Sequence, residues 1–517
     1  MKALNVFLAL LVSALIAVGV FEGGLRLIGM GPPKTLNRFD SALGWTKKPG
    51  LQVTRKTGEF EVEFEMNDLG LRDDADQSEV KSDGMTRVLC LGDSFTLGFG
   101  VNRPDLFVDH LESWWKAEGR QVDVVNAGTE AYATDQEVVW LQEHGQTWSP
   151  DVVLLFAYEN DLYYNGQDHY LLSSKPRFSP AGVLETGELQ DTGAKSFFQR
   201  TAIGNLFGSK PQLDTFRPAG GSREVFKEFG PLFKQQPDFM GDALARTSGA
   251  LKAFKATCDQ LGAKGILVTI PSHSAVHEDF AQNFGKNFLG VERAAWDPNK
   301  PVQAFLNAAK QAGVPTIDPS ARLRALQSAG TELYHTVDFH LNPAGNRALA
   351  EILHEELANL GDFPAPSQAL ALADVAMPST ESGGLPTWLF WFGGLWLLVG
   401  SLYLGYYKDE RGPLAFLKVG ALLGTIFTIA IGGTTLIGML PPTLGRYALI
   451  AVVLAILVFV LYKLGDRIGT ITELITAFVA RGHWYLMPLV VILLTVGSLL
   501  VVAATSPLVA PFIYTLF

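Results

Sequence analysis

Long uncharged runs near both ends of the chain constrain its fold more than any other feature of the sequence. Residues 3–21 contain no ionisable side chain, and four more apolar runs lie near the C-terminus, at about 388–407, 419–440, 447–462 and 484–502. Apolar runs of about 20 residues are long enough to cross the hydrocarbon core of a bilayer as helices. We therefore predict an N-terminal transmembrane anchor over residues 1–30 and an α-helical, four-helix membrane domain over residues 386–517.

The alternative for residues 1–30 is a cleaved signal peptide, but no small-x-small cleavage site follows the run, which favours an anchor. Basic residues set the orientation, because cytoplasmic connections carry the excess of Lys and Arg. They cluster at the N-terminus, between the second and third runs and between the fourth and fifth: Lys2; Lys408, Arg411 and Lys418; Lys463, Arg467 and Arg481. This pattern predicts a membrane protein of about five spans, with a cytoplasmic N-terminus and a periplasmic domain between the membrane segments. Residues 465–482 read equally as an amphipathic helix on the cytoplasmic surface or as an ordinary helical linker.

Charge is distributed unevenly along the 517 residues. Residues 386–517 hold seven Lys+Arg and four Asp+Glu, which leaves 34 basic and 48 acidic residues before them. An acidic domain is a poor candidate for nucleic-acid binding. The two cysteines, Cys90 and Cys258, lie in apolar segments and are predicted to be buried free thiols. No Cys/His spacing of the zinc type occurs, so we predict neither a metal nor a cofactor.

Between the membrane segments, short apolar runs alternate with helix-like stretches. Runs rich in Val, Ile and Leu predict strands buried on both faces, at 87–92, 122–127, 152–157, 266–270 and 315–317. The helix-like stretches are about 104–118, 133–147, 241–262, 300–312 and 343–360. The alternation predicts an α/β domain over residues 31–360 with a parallel sheet between helices. Residues 166–240 interrupt this alternation and are predicted to form an insertion or lid. The segment KPRFSPAGVLE within them is predicted to form a hairpin. Residues 361–385 are predicted to be a linker.

Polar residues follow the predicted strands at the edge where α/β domains place their sites. Gly92-Asp93-Ser94 follows the first strand, and a tight turn there would expose the Ser94 hydroxyl beside the N–H groups of the next helix. Gly128 follows the second strand and Asn160 the third. Late in the chain, Asp338 precedes His340 by two residues, a pair that could activate a serine. Each of these pieces alone is also typical of an ordinary turn or helix cap.

Together, in this order, the pieces resemble the SGNH (GDSL) hydrolase superfamily, and specifically its bacterial membrane-anchored branch. The resemblance includes the lead-in FEMNDLGLRD at 64–73 and YATDQ at 132–136, and it covers roughly residues 38–360. It implies a three-layer α/β/α, flavodoxin-like domain. It implies Ser94 as nucleophile, His340 as base and Asp338 as the orienting acid. It also implies an oxyanion hole made by the N–H groups of Ser94 and Gly128 with the side chain of Asn160.

The sequence departs from the pattern of this superfamily at two places. Tyr158 stands where the third block has glycine, and the acid is two residues before the histidine rather than three. His335 is an alternative base close by. The last fifty residues, which end in APFIYTLF, resemble a small uncharacterised family of bacterial membrane proteins. That resemblance suggests a module that binds membrane-protein partners through the C-terminal helices.

The resemblance implies a serine esterase that cleaves acyl esters of an extracytoplasmic glycan or lipid through an acyl-serine intermediate. Two alternatives stay open. One is an O-acyltransferase, such as an O-acetyltransferase, acting in surface polysaccharide modification. The other is an assembly factor whose domain binds glycan without catalysis. The expected partners are the lipid bilayer and the acylated substrate.

Overall fold

A computed structural model describes residues 35–170, 173–185, 187–190 and 214–359, together with scattered positions elsewhere. The chain divides into two compact units. One comprises Pro32–Arg200 and Phe207–Thr380, and the other Met1–Gly31, Thr201–Leu206 and Glu381–Phe517. The predicted anchor, linker and C-terminal spans fall mostly outside the described residues, and the helix predicted near 465–482 falls wholly outside them. Within the described residues, no helix is both long and apolar enough to cross a membrane.

Two antiparallel hairpins open the first unit, and neither was predicted from the sequence. Strand β1 (Asn37–Asp40) pairs with β2 (Gly44–Lys47), and β3 (Gln52–Lys56) pairs with β4 (Glu61–Glu65). In β4, acidic residues point outward and alternate with buried Val62 and Phe64, the period of a strand with one face covered. The tip of the second hairpin, between β3 and β4, carries Glu59 to the catalytic loop described below.

A five-stranded parallel sheet forms the centre of this unit. Its strands are β5 (Thr86–Leu91), β6 (Val122–Asn126), β7 (Val152–Ala157), β8 (Lys264–Thr269) and β9 (Thr316–Ile317). They lie in the order β6-β5-β7-β8-β9, with β5 between β6 and β7. The chain therefore starts in the interior of the sheet and builds outward in both directions, the flavodoxin-like order. The five predicted strands and the parallel α/β class are confirmed.

In the described part of this unit, ten α-helices cover the sheet or follow its strands. They are α1 (Ser94–Leu97), α2 (Phe107–Ala117), α3 (Thr134–Trp148), α4 (Asp161–Tyr164), α5 (Met240–Leu261), α6 (His273–Val276), α7 (Glu278–Phe284), α8 (Lys300–Ala312), α9 (Ser320–Ser328) and α10 (Pro343–Ala358). The five predicted helices correspond to α2, α3, α5, α8 and α10. Asn342 caps α10 by accepting the Gly345 N–H at 2.9 Å, and Pro343 occupies the first turn, where no N–H is needed.

The sheet has a separate hydrophobic core on each face. Along β5, Leu89 and Leu91 join a core with α3, α5 and α8, whereas Val88 and Cys90 join a core with α2 and α10. Successive side chains of a strand point to opposite faces, so a strand covered on both faces must be apolar throughout. This is the physical reason for the unbroken apolar runs in the sequence. Cys90 and the helical Cys258 are buried free thiols, as predicted.

The described part of the insertion at 166–240 consists of short strand pairs and a 3₁₀ helix. The strands pair as His169–Tyr170 with Ser173–Ser174, Arg177–Phe178 with Leu184–Glu185, and Thr215–Phe216 with Val225–Phe226, and the 3₁₀ helix spans Lys227–Leu232. The middle pair is the hairpin predicted from KPRFSPAGVLE. Phe216 and Phe229 pack with α7 and Trp296 in a small aromatic core of their own.

Candidate active site

Ser94 is the first residue of α1, directly after the interior strand β5. Asp93 caps the helix, because its Oδ1 accepts the Phe95 N–H at 2.9 Å. A Cβ at Gly92 would lie 2.1 Å from Thr96 Oγ1, so the turn requires glycine there. The helix is one turn long and ends at Gly98, whose φ of +80° is left-handed. The strand–turn–helix geometry thus presents the Ser94 hydroxyl at the carboxyl edge of the sheet.

The structure brings Ser94, His340 and Asp338 together in one hydrogen-bonded chain. Ser94 Oγ lies 2.8 Å from His340 Nε2, and His340 Nδ1 lies 2.5 Å from Asp338 Oδ1. Nucleophile, base and orienting acid therefore have the mutual geometry of a serine triad. The His340 side chain keeps 20% of its surface exposed.

Backbone conformation explains how an acid only two residues before the histidine can reach its ring. Phe339, between them, has a φ of +70°, in the left-handed region that bulky residues rarely adopt. This turn brings the two flanking side chains to one side of the loop. The Phe339 ring packs against Phe280 and Phe284, with centroids 5.2 and 6.1 Å apart, and this packing holds the strained residue in place.

The His340 ring is packed between two phenylalanines of the nucleophile segment. Its centroid lies 4.6 Å from that of Phe95 and 4.9 Å from that of Phe99. Burial by itself lowers the pKa of His340, but the charge and hydrogen bond of Asp338 outweigh it, so the pKa of His340 lies above its ordinary value. The His340 partnership in turn outweighs burial at Asp338 and lowers the pKa of that carboxyl. Asp338 is therefore ionised when His340 acts as base.

A carboxylate from the N-terminal hairpin holds the loop that carries Asp338 and His340. Glu59 accepts hydrogen bonds from the backbone N–H groups of Thr336, Val337 and Asp338, at 2.7 to 3.0 Å. We call this contact the Glu59 clasp. A bridge between Tyr334 and Leu341 closes the base of the same loop. The sequence analysis missed Glu59, because nothing local distinguishes it from the other glutamates of its hairpin.

His335 takes a structural position in this loop. Its Nε2 lies 3.0 Å from the carbonyl oxygen of Gly100, and its ring packs on Phe60 at 4.9 Å. A Cβ at Gly100 would come within 2.9 Å of the His335 ring. His335 therefore links the loop to the segment after α1, whereas the hydrogen bond to Ser94 belongs to His340.

Two of the three predicted oxyanion-hole donors have free polar groups. Ser94, at the start of α1, has an N–H for which no acceptor occurs among the described residues. Asn160 directly precedes α4, after β7, and its amide nitrogen, the atom that would donate to an oxyanion, makes no hydrogen bond to the described residues. The buried carboxyl of Asp161 closes this turn: its Oδ2 accepts Thr134 Oγ1 at 3.1 Å and the Tyr158 N–H at 3.4 Å. Burial, with the nearby Asp93 carboxylate, raises the pKa of Asp161 well above its usual range.

The structure contradicts the predicted role of Gly128. Its N–H donates to Asn126 Oδ1 at 3.0 Å and so is not available to a substrate oxygen. A Cβ at this position would lie 2.3 Å from the backbone nitrogen of Leu97, so glycine allows the loop after β6 to pack against α1. Farther along that loop, Ala131 has a φ of +63°, and its N–H has no acceptor within the described part of the chain. The sequence analysis missed this strained residue.

Tyr158 fills space beside the nucleophile helix. Its ring centroid lies 4.4 Å from that of Phe95, which also contacts His340. The side chain that replaces the family's glycine therefore belongs to an aromatic row beside the triad. A separate group of metal-ligating side chains, His273, His277 and Glu332, lies outside the triad.

Comparison with known proteins agrees with this geometry. Residues 232–388 match the family described as "SGNH hydrolase-like domain, acetyltransferase AlgX". The matched segment includes Asp338 and His340. This chain carries an SGNH hydrolase-like domain. The resemblance inferred from the sequence is confirmed over the matched residues, and the match supports the general class of esterases and acyltransferases.

The SGNH hydrolase-like domain is also similar to several solved structures, each at low identity. One is the acetyl xylan esterase AlAXEase, at 14% identity over 52% of this chain and 99% of that one, with a TM-score of 0.30. A lipase/acylhydrolase from Enterococcus faecalis has 14% identity over 55% and 100% of the two chains, with a TM-score of 0.31. A catalytic mutant of Axe2, an acetylxylan esterase from Geobacillus stearothermophilus, has 12% identity over 54% and 96%, with a TM-score of 0.31. Similarity at this level carries no argument about function.

The C-terminus matches a second family. Residues 468–517 correspond to a family of unknown function, DUF5989, which confirms the resemblance to an uncharacterised family. No curated protein matches the sequence.

Proposed function

We propose that this protein is a membrane-anchored serine esterase that cleaves acyl esters of an extracytoplasmic glycan or lipid. The observation that supports the proposal most directly is the hydrogen-bonded chain from Ser94 Oγ through His340 to Asp338, at 2.8 and 2.5 Å. A histidine held by a carboxylate and bonded to a serine hydroxyl is the arrangement that activates serine for acyl transfer.

The first half of the reaction forms an acyl-enzyme. His340 Nε2 removes the proton of Ser94 as Oγ attacks the ester carbonyl, and the carbonyl electron pair moves onto oxygen. The Ser94 N–H and the Asn160 side chain stabilise that oxyanion. The tetrahedral intermediate collapses, the ester C–O bond breaks, and His340 returns the proton to the leaving alkoxide.

The acceptor in the second half decides whether the protein is a hydrolase or a transferase. Attack by water on acyl-Ser94 releases a carboxylic acid, whereas attack by a sugar hydroxyl makes a new ester. The family matched by residues 232–388 is described by an acetyltransferase, and this observation favours an O-acetyltransferase as the second candidate. A glycan-binding scaffold without catalysis is the third, and a complete triad argues against it.

The test is turnover of p-nitrophenyl acetate by the purified full chain, compared with Ser94→Ala and His340→Ala. Ser328→Ala, an exposed serine at the end of α9, is the matched control. We expect hydrolysis by the wild type and the control and none above background in the two triad variants. Oligosaccharide is then added: acetate transferred to sugar supports the transferase, and release of free acetate supports the esterase. Absence of both turnover and fluorophosphonate labelling at Ser94 would leave the scaffold as the remaining candidate.

The location of the enzyme is a separate part of the proposal. The five uncharged runs and their basic flanks support a multi-pass inner-membrane protein with the SGNH hydrolase-like domain in the periplasm. With green fluorescent protein fused to the N-terminus of the full chain, we expect fluorescence in the membrane fraction. External protease should digest the SGNH hydrolase-like domain in spheroplasts. Protection of that domain until the cells are lysed would place it in the cytoplasm and reverse the orientation.

A further inference from the structure

Three metal-ligating side chains meet outside the catalytic triad. His273 begins α6, His277 directly follows that helix, and Glu332 precedes the loop that carries Asp338 and His340. Each offers one ligand atom, and these atoms all lie within 4.8 Å of one another. Neither the serine chemistry nor the oxyanion hole uses any of the three.

Aromatic packing holds the first of these ligands in one orientation. The His273 ring is 4% exposed and is stacked between Phe280 and Tyr334, with centroids 3.8 and 4.9 Å away and interplanar angles of 14° and 9°. The Tyr334 hydroxyl donates to the Pro271 carbonyl at 2.6 Å, which fixes the stacking partner as well. A ligand whose rotamer is locked by packing is already oriented before any ion arrives.

The distance between the two imidazoles, a long hydrogen bond, also fits two ligands of one ion. His273 Nε2 and His277 Nδ1 are 3.4 Å apart, longer than a normal hydrogen bond from an N–H donor. Two nitrogens bound tetrahedrally to one zinc ion lie about 3.3 Å apart, given Zn–N bonds of about 2.0 to 2.1 Å. The residues are also four apart in sequence, the spacing that places two histidines of a helix on one face.

Glu332 completes a donor set of two imidazoles and one carboxylate. Its Oε2 accepts a hydrogen bond from Gln327 Nε2 at 3.1 Å, while its Oε1 has no partner among the described residues. The residue is exposed, so an ion has direct access from solvent. Two histidines and one carboxylate, with the remaining positions filled by water, form a common zinc donor set.

We propose that His273, His277 and Glu332 bind one zinc-type divalent cation, which ties α6 to the start of the catalytic loop. The loop is closed by the Tyr334–Leu341 bridge, two residues after Glu332. An ion held here would restrict the base of the segment that positions Asp338 and His340. The ion would take no part in the serine chemistry, since neither Ser94 nor His340 is among its ligands. The sequence analysis, which predicted no metal, missed the cluster because Glu332 lies 55 residues after His277.

The test measures zinc binding and does not use esterase activity. An untagged full chain is stripped with EDTA, dialysed, and titrated with zinc chloride by calorimetry, with magnesium chloride as a second titrant. His277→Ala and Glu332→Gln are the test variants. His169→Ala, which removes an exposed histidine of the insertion, is the matched control.

We expect the wild type and His169→Ala to bind about one zinc equivalent more than His277→Ala, and neither to bind magnesium. Glu332→Gln should bind zinc at least roughly 10- to 100-fold more weakly, because loss of a supporting outer-shell group already costs that much and Glu332 is a direct ligand. Zinc should raise the melting temperature of the wild type and leave that of His277→Ala unchanged. The proposal is overturned if wild type binds no zinc, or if both test variants bind it as the wild type does.

Discussion

The two halves of the triad are built in different ways. The nucleophile segment is local: β5, the Gly92 turn and the one-turn α1 place Ser94 within a few consecutive residues. The base loop is irregular, contains a left-handed phenylalanine, and is held by contacts from far along the chain. Its clasp, Glu59, is 281 residues before His340. Substitution of Ser94 should therefore reduce turnover without disturbing the surrounding structure. Substitutions around His340 should reduce turnover by displacing the base.

The largest effect is expected at the nucleophile itself. Ser94→Ala should reduce ester turnover by on the order of 10⁶-fold, as loss of the serine does in a serine protease. The melting temperature should match that of Ser328→Ala, because Ser94 contributes only one partly exposed hydroxyl to packing. Steady-state kinetics and thermal unfolding measure the two quantities. Substantial residual turnover would mean that another residue is the nucleophile.

Asp338→Asn should come next and should also change the pH profile. Loss of the orienting carboxylate costs on the order of 10⁴-fold in kcat in serine triads. The pKa of His340 lies above 6.5, mainly because of Asp338 acting against burial, and the base must be neutral to act. The acid limb of kcat/KM should therefore lie above pH 6.5 in the wild type and move to lower pH in the variant.

The same pair makes a pH-dependent contribution to stability. The raised pKa of His340 stabilises the fold below pH 6.5, and this contribution is lost as the pH rises through the folded-state pKa.

Asp259→Asn, which removes an exposed acid on α5, is the control for the loss of one charge. If the acid limb of kcat/KM lies at the same pH in Asp338→Asn and Asp259→Asn, Asp338 is not the partner that raises the pKa of His340.

Asn160→Ala tests the oxyanion hole and should have an intermediate effect. Removal of one donor costs on the order of 10² to 10³ in kcat. KM should change little, because the bond strengthens only as the oxyanion forms. Asn283→Ala, on the exposed face of α7, is the matched control. Turnover of Asn160→Ala close to that of the control would remove Asn160 from the mechanism.

Loss of the Glu59 clasp should have the smallest effect on kcat. It tests most directly whether the base loop, unlike the nucleophile segment, depends on a distant contact. Glu59→Ala leaves three N–H groups of the base loop without their acceptor, and a displaced catalytic group costs up to about 10²-fold. We expect a loss of roughly ten-fold in kcat with KM unchanged. Glu59→Gln retains an acceptor oxygen and should therefore keep part of the kcat that Glu59→Ala loses.

Glu61→Ala provides the control for the clasp, since Glu61 lies on the same hairpin and its side chain, among the described residues, pairs with exposed Lys56 alone. It should retain wild-type kcat. If Glu59→Ala behaves like Glu61→Ala, the base loop holds its position without the clasp. The contrast between a local nucleophile and a tertiary base would then be weaker than the geometry indicates.

The sequence was informative wherever structure depends on neighbouring residues. Strands buried on both faces must be continuously apolar, so all five strands could be predicted. Gly92, two residues before Ser94, marked the nucleophile turn. The N-terminal hairpins were missed although the alternation in EVEFE at 61–65 is a strand signal. The role given to Gly128 was wrong because spacing cannot reveal that the Asn126 side chain takes its N–H.

By itself, then, the sequence determined the parallel α/β domain, the position of Ser94 and the pairing of His340 with an acid. Hydrophobic periodicity and turn chemistry act over a few residues, so they can be recognised in the sequence alone. Only the tertiary structure decided which N–H groups are free, how Phe339 lets Asp338 reach the His340 ring, and that Glu59, His273 and Glu332 meet the base loop. The contacts of Glu59 and His273 join residues tens to hundreds of positions apart. Even the short-range hydrogen bond from Gly128 to Asn126 depends on how the fold places the side chain, for which a single sequence carries no signal.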